Sequence, residues 1–145
     1  MKFLGLVIAC ALSFNVSAHS SDATERTDVL GVLQFCWSNV SSNLKGGAIL
    51  SACFDGQDVA TVQWCWNNVS ANLNDGANLV SCFTSTSNSD VVQWCWNNVS
   101  ANVNGGSALD SCNRGKDVAQ VSWCWNNISS SLSSGAILNK CFTSR

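Results

Sequence analysis

Proline and tyrosine are absent from this chain, and it has a single histidine. Glu25 is the only glutamate, so glutamate pairs for acid–base work are excluded outright. The one histidine, His19, cannot serve the serines further along as a base, because the repeated part of the chain contains none. If His19 becomes a mature N-terminus it could chelate copper through its amine and ring, but a histidine brace needs a second imidazole and the sequence has none. No block of basic residues is present, which removes the electrostatic footprint of a nucleic-acid binder and of a peripheral membrane protein. There is no Asp-rich calcium loop, no Gly-rich phosphate loop and no ordered threonine array. No two cysteines are closer than 12 positions, so the clustered thiols of a metal site are missing. These absences predict a protein that is not an enzyme and has no cofactor, no metal, no nucleic-acid partner and no membrane partner.

What is present begins with an N-terminal export pattern. Lys2 is followed by the apolar run Phe3 to Phe14, and Val16-Ser17-Ala18 supplies small residues for cleavage after Ala18. The run is too short to span a bilayer. Residues 1–18 thus read as a signal peptide, 19–27 as a polar, disordered leader, and the mature product as secreted and extracellular. Removing Lys2 leaves six of the seven basic residues against nine acidic ones, a mildly acidic mature chain. Of nine cysteines, Cys10 leaves with the signal peptide. The remaining even number in an exported protein reads as a disulfide framework.

Those cysteines reveal an internal repeat. Cys36, Cys65, Cys95 and Cys124 are 29, 30 and 29 residues apart, and Cys53, Cys82, Cys112 and Cys141 follow the same spacing. The two cysteines of each copy are always 17 positions apart, within the pattern aromatic-C-W-x-N-[VI]-S-x-x-[LV]-x-x-G-x-x-L-x-x-C. The copies are placed at 28–57, 58–89, 90–116 and 117–145, forming one domain from 28 to 145. The tetratricopeptide and ankyrin signature residues are missing.

Periodicity decides between helix and strand. Steps of three and four residues pick out Leu33, Trp37, Val40 and Leu44 in the first copy, and Val62, Trp66, Val69 and Leu73 in the second. The third gives Val92, Trp96, Val99 and Val103, and the fourth Val121, Trp125, Ile128 and Leu132; all sixteen positions are apolar. A strand would put Asn68, Ser70 and Asn72 on the face of Val62, Trp64 and Trp66. The helix fits better, although Val, Asn, Ser and Trp are indifferent helix formers. Asp28, Asp58, Asp90 and Asp117 are placed to cap helix starts. Gly47, Gly76, Gly106 and Gly135 suit left-handed caps at helix ends. A shorter apolar segment, such as Ala77 to Phe83, then completes a hairpin. The fold class predicted is all-α: four stacked, disulfide-stapled helical-hairpin repeats forming a small α-solenoid or bundle.

Two disulfide arrangements respect the repeat. Each copy closes itself, or copies are laced through Cys53–Cys65, Cys82–Cys95 and Cys112–Cys124, leaving Cys36 and Cys141 to close a ring or bond another chain. Closure within copies is favoured because it needs no special treatment of the ends.

Two further patterns bear on function. Asn39, Asn68, Asn98 and Asn127 each begin an N-x-S sequon at the same place in the copy, and in a eukaryotic host they are expected to carry glycans. Phe35, Trp64, Trp94 and Trp123 form a second aromatic row, each two residues before the stripe tryptophan and so roughly opposite it on a helix. That row either packs against the next copy or stays open as a ladder for sugar rings or a protein partner. The function expected is a non-catalytic secreted interaction or structural scaffold with a protein or glycan partner. Alternatives are a secreted effector or inhibitor that binds a host protein, and a carbohydrate-binding module using exposed tryptophans.

Overall fold

The computed structural model describes the backbone of residues 21–144 and the side chains of residues 29–144. The signal-peptide reading and His19 lie outside the described residues. Among these residues there are eight α-helices and no strand. They are α1 (Ser21–Asn39), α2 (Ala48–Phe54), α3 (Val59–Asn68), α4 (Ala77–Phe83), α5 (Ser89–Asn98), α6 (Ser107–Cys112), α7 (Val118–Asn127) and α8 (Ala136–Phe142). Each copy is one odd-numbered and one even-numbered helix. Odd helices neighbour one another in one layer, even helices in a second, so the copies stack side by side as a short two-layer solenoid.

The starts of the odd helices follow the capping rule, with two corrections. Asp58 accepts the amide of Thr61 and Asp117 that of Gln120, each at 2.8 Å. In the third copy the cap is Asn88, which accepts from Val91 at 3.0 Å, and Asp90 lies inside the first turn. The linker before this helix is one residue longer, Cys82 to Cys95 being 13 positions against 12 for its counterparts, and Asn88 takes the vacated place. In the first copy α1 runs back to Ser21, into the segment read as a disordered leader, so Asp28 stands within a helix rather than at its start.

The odd helices also stop sooner than the apolar stripe suggests. After Asn68, Val69 turns extended (φ −98°, ψ 123°) while keeping its side chain buried; Val99 and Ile128 make the same turn. The chain then passes through a left-handed turn. Asn74, Asp75 and Gly76 have φ of 47°, 54° and 85°, and each of the other copies repeats three such residues in succession. The repeat glycines are therefore left-handed, as their type allows. They sit at the start of the short helix, not at the end of the long one.

The hydrophobic core is centred on the cysteines rather than on the stripe tryptophans. In α3, Thr61, Val62 and Cys65 are buried, with Val69 just beyond its end, and α4 answers with Leu79, Cys82 and Phe83. Trp64 and Trp66 flank Cys65 on either side, both half-buried against the same core cluster. Being opposite on the helix does not force one row out of the core, because a stacked array offers each helix a neighbour on both flanks.

Candidate functional site

The disulfides join the two layers within each copy: Cys36–Cys53, Cys65–Cys82, Cys95–Cys112 and Cys124–Cys141. The Cα atoms stand 5.8–5.9 Å apart, and no bridge crosses from one copy to the next. Four such bonds within one chain fit an oxidising, extracellular or secretory environment.

Contact between copies is therefore non-covalent. Asn74 in the left-handed turn of the second copy donates to the carbonyl of Ala101 in the third, and Asn104 donates to Ser130 in the fourth. Lys45 takes the equivalent place in the first copy, with its Nζ 3.8 Å from an Asp75 carboxylate oxygen. The linkers stack too: Ser85 and Ser87 donate to the carbonyls of Asn113 and Gly115 one copy on. Gly56 and Gly115 leave room for this stacking, since a Cβ on either would fall within 2.3 Å of a valine methyl of the next long helix.

The sequon asparagines occupy one repeated position. Asn39, Asn68, Asn98 and Asn127 are each the last residue of a long helix, and all four are exposed. Each Nδ2 donates at 2.8 Å to the carbonyl four residues back, which belongs to Phe35, Trp64, Trp94 or Trp123 respectively. The sequon serines accept the amide two residues on: Ser41 from Asn43, Ser70 from Asn72, Ser100 from Asn102 and Ser129 from Ser131. Placement at a helix end reconciles a sequon with a helical segment.

In the second aromatic row, Phe35, Trp64 and Trp94 are half-buried and pack against the core clusters, whereas Trp123 is open. In the stripe row, Trp66, Trp96 and Trp125 are half-buried and Trp37 is open. A continuous exposed ladder is therefore not formed. Leu33 and Trp37, which the stripe assigns to the core, are exposed because their face is covered in the other copies by the preceding copy.

A polar groove of about 400 Å³ runs along the linker edge, lined by residues such as Thr86, Asn88, Arg114, Lys116 and Thr143. It contains no aromatic side chain. Arg114 is held to Asp110 at 3.1 Å. Among the described residues no group of three His, Cys, Asp or Glu side chains could hold a metal ion, and no helix is long and apolar enough to cross a membrane.

Fold and surface together define a disulfide-stapled α-solenoid. No protein-family model matches the chain, and no curated protein or solved structure gives a significant match.

Proposed function

We propose that this protein is a secreted, non-catalytic scaffold that presents N-linked glycans at Asn39, Asn68, Asn98 and Asn127. One observation carries the reading: apart from these asparagines, the recurring residues are engaged in building or stacking the copies. The cysteines pair across the layers, the glycines form the left-handed turns, and the internal tryptophans pack at the junctions between copies. The sequon asparagine is exposed in all four copies, as is the sequon serine two residues on, whose hydroxyl is already engaged by a turn amide. Its bond to the helix end uses one amide hydrogen, and attachment of a sugar replaces only the other. The export signal and the four bridges support secretion, and the single histidine and glutamate support a role without catalysis.

Enzymatic release of N-glycans from protein purified from its native source tests the proposal. The expected result is a mass that falls in several steps under partial digestion, with sugar mapped to the four asparagines. An unchanged mass, with four unmodified sequon peptides, overturns it and leaves the motif its structural role at the helix end.

A further inference from the structure

Eight large apolar side chains are exposed among the described residues, and every one belongs to the first or the fourth copy. On the first copy they include Leu33, Trp37 and Phe54; on the fourth they are Trp123, Leu132 and Ile137. Each has counterparts in the other copies that are more deeply covered. Leu33 is 40% exposed while Val62, Val92 and Val121 are at 1% or less. Phe54 is 36% exposed while Phe83 and Phe142 are at 1% or less. At the other end, Ile137 is 44% exposed, but Ile49 and Ala108 at the same position are fully buried. Trp37 at 74% and Trp123 at 59% are the two tryptophans without a neighbour on the relevant flank.

The two faces are the two halves of a junction that the chain already contains. Between the first and second copies, Phe35, Leu44 and Ile49 of one copy and Val62, Trp66 and Phe83 of the next belong to one core cluster. Position for position, the fourth copy supplies Trp123, Leu132 and Ile137 for the first set. The first copy supplies Leu33, Trp37 and Phe54 for the second. Terminal copies of a solenoid normally turn a polar face outward, and these turn apolar ones, of the kind that mark interaction sites.

We infer that the protein associates head to tail with a second copy of itself, the fourth copy of one chain stacking on the first copy of another. Because the two faces differ, the contact is heterologous and each added chain presents a fresh face, giving short chains or a ring. Ser133 stands where Asn74 and Asn104 reach across to the next copy, and its side chain is too short to make that bond. The junction between chains is thus weaker than those within a chain, and assembly depends on concentration.

Sedimentation of the secreted protein over a wide concentration range, with the variants Trp37→Asp and Ile137→Asp, tests the inference. Both substitutions replace exposed side chains, and unchanged thermal unfolding confirms that the variants fold. The wild-type protein is expected to exceed monomer mass as concentration rises, and each variant alone to remain monomeric. Mixing the two variants leaves one intact junction and should give a doubling of mass that stops there. A wild-type protein that stays monomeric overturns the inference. So does a mixture that stays monomeric, or a single variant that still dimerises through like faces.

Discussion

At the scale of single residues, the capping positions make opposed predictions for neighbouring side chains. Asn88 accepts the first free amide of α5, so Asn88→Ala should cost about 1 kcal/mol. Asp90 makes only a favourable encounter with the helix dipole, and Asp90→Ala should cost about 0.3 kcal/mol. Urea unfolding midpoints separate the two, and equal losses would mean that the cap is misplaced. Glycines give a second contrast. Gly106 has φ +90°, and a Cβ there would lie 2.7 Å from Asn74 Nδ2 and 2.9 Å from Asn78 Oδ1. Gly105 has φ +64° with nothing within 4 Å. Gly105→Ala should therefore cost about 1–2 kcal/mol, the left-handed penalty alone, and Gly106→Ala measurably more. The aromatic row gives a third. Trp94 packs between copies, so Trp94→Ala should cost roughly 2–3 kcal/mol, below the range for a fully buried tryptophan. Trp123→Ala should change the stability of the monomer by less than about 1 kcal/mol.

At the scale of elements, the helices are short for their composition. The odd helices α3, α5 and α7 have ten residues and the even ones have six or seven, all below the length at which an isolated helix persists in water. A bridge closing each 17-residue spacing stabilises a copy by about 3 kcal/mol in the chain-entropy model. Full reduction should accordingly abolish most of the far-ultraviolet helical signal. Retention of that signal after titration of eight free thiols would show that stacking alone suffices. These elements were largely legible in the sequence. The segment Ala77–Phe83 is α4 to the residue, and the cysteine spacing pointed to closure within copies. Two things were not. The apolar stripe runs on past Asn68 to Leu73, whereas extended Val69 and the serine-bonded turn end the helix, and burial centres on Cys65 with Trp66 only half-buried. The run of three left-handed residues was hidden as well, because Lys45 or Ser133 at its first position carries no local signal for that conformation. The exposed faces could have been found from sequence only by asking which neighbour each copy's flanks would meet.

At the scale of the whole molecule, each copy touches its neighbours and little else, so stability should be graded along the array. The second and third copies are covered on both flanks, whereas the fourth leaves Trp123, Leu132 and Ile137 open. Hydrogen exchange at a concentration where the protein is monomeric should therefore show slower amides in α3 to α6 than in α7 and α8. Uniform protection would indicate that the array unfolds as a single unit. The confinement of every bridge to its own copy also reaches back to the gene. Excising or duplicating one repeat unit of coding sequence removes or adds both cysteines of a bridge together, so no thiol is orphaned and no existing pairing is redirected. The joint falls in a linker that already tolerates one extra residue, and the new neighbours meet through flanks built to the same plan. The disulfide framework thus places no constraint on the number of copies in the array.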